Sequence, residues 1–267
     1  MKLYNRQNLA FYEFAEWQEF PIQHGYTSRL GGVSSGDFAG LQLSDSRGDD
    51  PKAVQQNRQL FSQVVSVPLH KMVSSQQVHQ TRIERVTETT ASIVEPKSCQ
   101  PKEVDGLSTN VPGILLMTWY ADCVPLYAYD PVQRAVAVVH AGWRGTYAQM
   151  AKRLVEHMQQ EYGSLPQNLQ IGIGPAICQQ NYEVDSDLQA KLVAILGDKA
   201  DTFFAQETKP HLDLKQLNKF FFIQAGVPKT QIVVSDVCTK EHSDLFSHRR
   251  TGEKRGNNLG FICLTKA

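Results

Sequence analysis

A cysteine and a histidine flank what the sequence predicts to be a β-hairpin. Cys123 comes just before the apolar run 124–129, and His140 ends the next apolar run, 135–140. An Asp-Pro turn signal joins the two runs. Because the outer ends of the two strands of a hairpin meet at the same edge of a sheet, we expect a thiol and an imidazole to lie side by side there.

A third candidate ligand, His79, lies upstream in the segment 75–79. Two imidazoles and one thiolate suit Zn²⁺, and three protein ligands leave a fourth position for water or substrate, which is typical of catalytic zinc. Spacing alone leaves two other interpretations open. Cys123 and His140 could form the thiolate–imidazolium pair of a cysteine hydrolase, or they could be an ordinary buried thiol and a strand-ending histidine.

Composition excludes several classes of protein. The 267 residues include 27 basic and 27 acidic side chains, so the net charge is zero, which argues against a protein that binds nucleic acid through its phosphates. A hydrophobic fraction of 41% with 20% charged residues is typical of a folded globular protein. The longest apolar runs, around 114–119 and 135–139, are too short to span a membrane, so no membrane partner is expected.

The cysteines indicate a reducing compartment. Cys99, Cys123, Cys178, Cys238 and Cys263 are scattered and include no Cys-x-x-Cys pair, and the N-terminus develops no apolar signal segment. Free thiols or metal ligands are therefore expected rather than disulfides. The predicted location is the cytoplasm.

Helices and short strands alternate irregularly along the chain. An Asp-Asp-Pro signal predicts a helix that opens at Pro51, and the apolar spacing predicts a second helix over 146–162, on which His157 lies off the apolar stripe and is expected to be exposed. The sequence also predicts helices over 186–196 and 214–225, and strands over 114–119, 124–129, 135–140, 169–173, 231–234 and 261–264. This order favours an α+β fold, a layered sandwich of mixed strands flanked by helices, in a single domain over residues 1–267.

A series of motifs, in order along nearly the whole chain, resembles the YfiH family, also called the laccase-domain or multicopper polyphenol oxidase family. The motifs are GYTSRLGGVS (25–34), GDD (48–50), NR (57–58), QVH (77–79), VDGL (104–107), ADCVP (121–125), HAGWRGT (140–146), IGP (173–175), YEV (182–184) and FSHRR (246–250). The pair ADC and HAGWRG is the most specific of them. Departures from the family pattern are Gln42, Gln80 and His248, none of which is a proposed ligand.

The resemblance implies a function and a metal. The family has been reassigned as purine nucleoside phosphorylases, which are pentosyltransferases, so the chain is expected to act on a purine nucleoside and phosphate. The implied substrates are adenosine, inosine, guanosine and S-methyl-5′-thioadenosine, with adenosine deamination as an added activity. The implied metal is zinc, held by His79, Cys123 and His140, with copper as the less favoured ion.

Phosphorolysis also requires an anion site, and deamination requires a proton carrier. Arg29, Arg58 and Arg144 are the candidates for phosphate, because guanidinium groups form charge-assisted hydrogen bonds with it. Cys123 and His140 are candidate catalytic residues as well as ligands. Asp122 and Asp105 are candidate proton carriers, although Asp105 could simply form a turn with the glycine that follows it.

The phosphorylase has three alternatives at this stage, of which the first is disfavoured by the sequence. A laccase needs many imidazoles, and the 8 histidines of the chain are too few for a multicopper centre. A Cys/His hydrolase or amidase acting on cell-wall precursors would use Cys123 and His140. A non-enzymatic protein stabilised by zinc is the third. The basic cluster 247–250 is expected to be a solvated loop.

Overall fold

The structure, a computed structural model, describes residues 1–89, 103–206 and 208–265. The strands are β1 (Lys2–Arg6), β2 (Leu9–Glu13), β3 (Ile22–Thr27), β4 (Met72–Ser74), β5 (Ile83–Arg85), β6 (Gly106–Thr109), β7 (Leu115–Tyr120), β8 (Val124–Asp130), β9 (Ala135–Ala141), β10 (Gln170–Ile173), β11 (Phe204–Gln206), β12 (Pro210–Leu212), β13 (Ile232–Val234) and β14 (Asn258–Leu264). The helices are α1 (Pro51–Val65), α2 (Trp143–Tyr147), α3 (Met150–Tyr162), α4 (Ser186–Leu196), α5 (Leu214–Gln224) and α6 (His248–Thr251).

Two mixed sheets of six strands each form the centre of the fold. The first sheet has the order β1-β2-β3-β14-β7-β4, and the second has the order β13-β10-β8-β9-β6-β5. Most neighbours are antiparallel, but the pairs β4–β7, β5–β6 and β10–β13 are parallel. Every residue of β8, β9 and β14 is buried. This explains why these strands read as nearly continuous apolar runs.

Helices cover the outer faces of both sheets. Phe61 of α1 packs with Leu115 and Phe261 of the first sheet. Leu154 of α3 and Phe222 of α5 pack with the apolar side chains of the second sheet. A third cluster, with Leu116, Tyr127 and Ile262 among its members, fills the space between the sheets. The expected layered sandwich of mixed strands flanked by helices is therefore confirmed.

Local sequence signals explain where several elements begin and end. Asp50 caps α1 by accepting a hydrogen bond from the backbone N–H of Lys52 at 3.0 Å. The helix predicted over 186–196 has those bounds in the structure. The helix predicted over 146–162 is instead two helices, α2 and α3, because Gln149 adopts a left-handed conformation with φ of 59°. The apolar stripe continues across this break, so the pattern does not reveal it.

Two further expectations concern single side chains. His157 is half-buried, and its Nε2 lies 2.7 Å from the hydroxyl of Ser108, so the prediction that it is exposed is wrong. Cys123, Cys178, Cys238 and Cys263 are free thiols, as expected, and Cys99 lies outside the described residues. Among the described helices, none is long and apolar enough to cross a membrane.

Candidate functional site

The hairpin of β8 and β9 brings Cys123 and His140 together. The two strands pair antiparallel with Pro125 opposite His140, so Cys123 enters β8 beside the end of β9. One side-chain ligand atom from each of His79, Cys123 and His140 lies within 4.8 Å of the others. We call this group the histidine–cysteine cluster. The convergence of the three side chains matches the geometry that the sequence predicts.

Asp105 holds His79 in place, although His79 belongs to neither strand of the hairpin. The Asp105 carboxylate is fully buried and accepts hydrogen bonds from the backbone N–H groups of Val78, His79 and Gln80 at 3.1, 3.0 and 2.8 Å. His79 itself has a left-handed backbone with φ of 60°. A conformation of this kind persists only where the surroundings enforce it, and the three hydrogen bonds to one carboxylate do so here.

The same carboxylate orients His140. Asp105 Oδ1 lies 2.9 Å from His140 Nδ1, which leaves Nε2 as the ring nitrogen of His140 that can interact with Cys123. Burial by itself lowers the pKa of His140, but interactions with the neighbouring Cys123 and with the Asp105 carboxylate outweigh it and raise that pKa to about 9. Burial raises the pKa of Asp105, but the hydrogen bonds from His140 and the backbone outweigh burial and lower it. Burial and the neighbouring His140 lower the pKa of His79.

Gly142 leaves open the space on which the three ligands converge. A Cβ atom at this position would lie 3.0 Å from Cys123 Sγ, 3.2 Å from His79 Nδ1 and 3.7 Å from His140 Cε1. The backbone φ of Gly142 is −72°, which any residue adopts, so the glycine is needed for space and not for conformation. The space beside the histidine–cysteine cluster is therefore one that an ordinary side chain would fill.

The donor set fits a zinc ion. Two imidazoles and a thiolate are ligands that Zn²⁺ prefers, and three protein ligands leave one coordination position open. A metal-binding histidine commonly donates its second ring N–H to a carboxylate, as His140 does to Asp105. The geometry and the chemistry of this cluster thus agree with the metal that the motifs imply, and the identity of the ion stays a prediction.

A cavity of about 850 Å³ opens beside the cluster. We call it the central cavity. It is lined by residues 44–47, 75–77, 119–123 and 142–144, and by His79, His140, Ile177, Tyr182, Leu214, His248, Arg249, Glu253, Arg255 and Asn257. Its volume is in the range of small-molecule sites.

The structure brings only one of the three candidate phosphate arginines to the central cavity. Arg144 is exposed, and its guanidinium lies over the Trp143 ring at 4.3 Å. Arg29 donates to the carbonyl of Ala39, and Arg58 donates to the carbonyl of Leu43. These bonds direct both side chains into loop packing, and in the part of the chain that the structure describes neither lines the cavity. The expectation that Arg29 and Arg58 bind phosphate in this cavity is therefore corrected.

Three other arginines line the cavity. Arg47 pairs with Glu253, and Arg249 donates to the carbonyl of Glu183 and lies over the Tyr182 ring. Arg255 has an Nε–H that is buried and has no hydrogen-bond partner among the described residues. The basic cluster 247–250 contains Arg249, so the signal for this residue was present. Arg249 is exposed as expected, but it lies in the short helix α6 at the cavity wall and not in a loop. No local motif marks Arg47 or Arg255.

Asp122 also lines the cavity, but its carboxylate is engaged on both oxygens. Oδ1 accepts from the hydroxyl of Thr239 and Oδ2 from the backbone N–H of Arg249, both at 2.6 Å. The backbone φ of Asp122 is 93°, a strained value for a residue with a side chain, which costs on the order of 1–3 kcal/mol. Asp122 thus ties the loop before Cys123 to the segment that carries Arg249.

Comparison with known proteins identifies the family. A family model described as "Multi-copper polyphenol oxidoreductase laccase" matches residues 23–265. The chain belongs to this family. This confirms the family that the motifs indicate. Purine nucleoside phosphorylase YlmD of Bacillus subtilis is 35% identical over 247 residues, which cover 91% of this chain and 88% of the relative.

Two further members of the family bear on fold and activity. Adenosine deaminase RL5, from an unknown prokaryotic organism, is 33% identical over 226 residues, which cover 83% of this chain and 86% of the relative. The crystal structure of YlmD from Geobacillus stearothermophilus matches with a TM-score of 0.90 at 31% identity, and the match covers 98% of each chain. The mixed α/β architecture is therefore that of the family.

The first prediction concerns the space at Gly142. Gly142→Ala places a methyl group against the three ligand side chains, and overpacking of this kind costs about 1–3 kcal/mol. We expect the affinity for zinc to fall by about tenfold or more, measured by competition with a chromophoric chelator. Gly145→Ala is the matched control, because its Cβ would meet its nearest neighbours only at 3.6 Å. Equal zinc affinity in the two variants would contradict this account.

The second prediction concerns Asp105. Asp105→Asn turns an amide group towards backbone N–H donors, so zinc affinity should fall by about 10–100-fold and the free energy of unfolding by about 1–3 kcal/mol. Asp130→Asn is the matched control, because Asp130 is equally buried but, among the residues that the structure describes, accepts only from Val132 and Gln133 in the β8–β9 turn. Denaturant unfolding and zinc titration of both variants test this, and loss of zinc affinity in Asp130→Asn as well would refute a specific role for Asp105.

Proposed function

We propose that this chain is a purine nucleoside phosphorylase that transfers a pentosyl group from a purine to phosphate. One observation carries the proposal: the histidine–cysteine cluster and a set of cavity-lining arginines face the same central cavity. Relatives that cover about nine-tenths of the chain are named purine nucleoside phosphorylases, which supports the same conclusion.

The reaction sets three requirements. A phosphate oxygen forms a bond to C1′ of the sugar while the bond from C1′ to the purine nitrogen breaks. The purine leaves with the bonding electron pair and takes up a proton, and the sugar carries positive charge in the transition state. The site must therefore hold a phosphate, orient a flat base and keep water away from C1′.

We assign the phosphate to Arg144 and Arg255. Among the described residues no hydrogen bond engages the Arg144 guanidinium. Arg255 donates from Nη1 to the carbonyl of Gly256 and to the side chain of Asn257, but its buried Nε–H has no partner there. Arg47 and Arg249 are already bonded to Glu253 and Glu183, so they shape the wall and add positive charge. Charge-assisted hydrogen bonds from guanidinium groups are the strong contacts by which proteins hold phosphate.

Zinc, held by His79, Cys123 and His140, would supply a positive charge with one open position for a substrate or water oxygen. Cys123 and His140 serve in this proposal as ligands and thereby as catalytic residues. Asp105 fixes the ring of His140, and Asp122 stays a candidate for contact with substrate at the cavity wall. Trp119 and Tyr182 offer aromatic faces for the base.

Adenosine deamination is the second candidate function. The relative RL5 is named an adenosine deaminase. Deamination requires a metal ion that activates water and a nearby carboxylate that carries a proton. Asp122 is the carboxylate that lines the cavity next to Cys123. Because both its oxygens accept hydrogen bonds, one of these contacts would have to open for Asp122 to carry a proton.

Other enzyme classes receive less support. Cys123, His140 and Asp105 also have the order of a nucleophile, its base and an orienting carboxylate, but His79 in the same cluster favours a metal. A multicopper oxidase needs many imidazoles. The candidate ligand clusters within residues 1–89, 103–206 and 208–265 contain two histidines, His79 and His140.

The third prediction tests the reaction. Purified zinc-loaded protein should release hypoxanthine from inosine only when phosphate is present, with ribose 1-phosphate as the second product, measured by chromatography and phosphorus NMR. Cys123→Ala should abolish both zinc binding and turnover, whereas Cys263→Ala should retain them because Cys263 lies in β14 away from the cavity. Release of hypoxanthine without phosphate would show hydrolysis of the nucleoside in place of phosphorolysis and would contradict the proposal, and ammonia from adenosine would demonstrate deamination.

The fourth prediction tests the phosphate site. Arg144→Met should raise the KM for phosphate by about tenfold, which corresponds to about 1.4 kcal/mol, and should leave the KM for inosine nearly unchanged. Arg153→Met is the matched control, because Arg153 is an exposed arginine of α3 paired with Glu156. Steady-state kinetics with phosphate as the varied substrate decide, and an equal KM for phosphate in both variants would remove Arg144 from the site.

A further inference from the structure

A second group of ligand-type side chains lies outside the histidine–cysteine cluster. One ligand atom from each of Cys178, Cys238 and Glu241 lies within 4.8 Å of the others. We call this group the two-cysteine cluster. Cys238 is buried, Cys178 is half-buried and Glu241 is exposed, so the cluster begins inside the fold and ends at the surface.

The backbone itself builds the pocket for the two thiols. Ala176 and Cys238 form an isolated parallel bridge, which sets Cys178 beside Cys238 although the chain separates them widely. The backbone N–H of Cys178 donates to Cys238 Sγ at 3.2 Å. A donor of this kind stabilises negative charge on sulfur, which is the form of cysteine that binds metal.

A single side-chain amide bonds to the cluster from one side. Asn181 Nδ2 lies 2.7 Å from Glu241 Oε1, 3.1 Å from Cys178 Sγ and 3.7 Å from Cys238 Sγ. Cys178 Sγ and Glu241 Oε1 are themselves only 3.4 Å apart. Two sulfurs and a carboxylate oxygen therefore converge, and the Asn181 amide and the Cys178 backbone N–H donate to them. Ligand atoms held by hydrogen bonds in this way are typical of metal sites.

We propose that Cys178, Cys238 and Glu241 form a second metal site, which takes a borderline-soft divalent cation of the Zn²⁺ type. Two thiolates with one carboxylate suit Zn²⁺ in tetrahedral coordination, with water completing the set. A site for Cu(I) would favour sulfur ligands alone, so the carboxylate favours zinc. This site shares no residue with the histidine–cysteine cluster and does not depend on the proposed function.

The consequence of metal binding here is a cross-link behind the wall of the central cavity. The cluster joins the segment 176–183 to the segment 237–242. The first segment contributes Ile177 and Tyr182 to the cavity lining. The second segment does so indirectly, because the hydroxyl of Thr239 bonds to Asp122, which lines the cavity. A metal that holds the two segments together therefore fixes the wall of the cavity without contact with the substrate.

The test is metal stoichiometry under reducing conditions. Wild-type protein saturated with Zn²⁺ and desalted should retain about two ions per chain by mass spectrometry of the metal, and both Cys178→Ser and Cys123→Ala should retain about one. Cys263→Ser is the matched control, because Cys263 is also a buried thiol but belongs to neither cluster, and it should retain as much zinc as the wild type. If Cys178→Ser keeps the wild-type zinc content, the proposal is wrong.

A milder variant separates metal loss from misfolding. Glu241→Gln keeps the size of the exposed side chain and an oxygen for Asn181, so the fold should persist while zinc affinity at this site falls by about tenfold. Substitution with Co²⁺ gives a second readout, because sulfur-to-cobalt charge-transfer absorption reports thiolate ligands. This absorption should fall by about two-thirds in Cys178→Ser/Cys238→Ser and by about one-third in Cys123→Ala. No change in the first variant, or a Cys178–Cys238 disulfide that persists under the reducing conditions of the test, would overturn the proposal.

Discussion

The candidate site depends on one buried carboxylate. Asp105 accepts hydrogen bonds from three successive backbone N–H groups of the loop that carries His79, and from the ring of His140. Its own backbone carbonyl accepts from the N–H of His140 at 2.7 Å. A buried carboxylate without partners would be very costly, so the loop and the strand end are held where they satisfy it. The positions of two of the three candidate metal ligands follow from this constraint.

The other walls of the central cavity are built by exchange of hydrogen bonds between distant segments. Asp122 bonds to Thr239 and to the backbone of Arg249, and Arg249 in turn bonds to the carbonyl of Glu183. The two-cysteine cluster lies between the same segments. Loops that come from different strand ends are thereby held as one surface, on a scaffold of two sheets whose central strands β8, β9 and β14 are buried along their whole length. In this arrangement the residues of the candidate site lie largely on loops, and the strands beneath the loops fix their positions.

The arginines of the central cavity differ in how many of their hydrogen-bond donors are already engaged. Arginines that are bonded to carbonyls or carboxylates, such as Arg47 and Arg249, act in the wall. Arg144 lies over the Trp143 ring, and among the described residues no hydrogen bond engages its guanidinium. Arg255 is intermediate, because its Nη1 donates to Gly256 and Asn257 whereas its Nε–H has no partner among those residues. A chain with zero net charge can therefore still concentrate positive charge in one pocket. That combination suits a small anionic substrate and not a polyanion.

The sequence alone determined the hairpin, the layered α+β class and the pairing of Cys123 with His140, because these follow from period, turn signals and the antiparallel register of adjacent strands. Only the tertiary structure decided the rest. Arg29 and Arg58 belong to family-like motifs, yet their guanidinium groups bond to the carbonyls of Ala39 and Leu43 and do not reach the cavity. Arg255 and the pair Cys178 and Cys238 show the converse. They belong to no motif, yet long-range packing places Arg255 at the central cavity and brings the two cysteines into contact. Local patterns encode which face of an element is buried, whereas the direction of a long side chain and the contact of distant loops depend on partners that no local pattern contains.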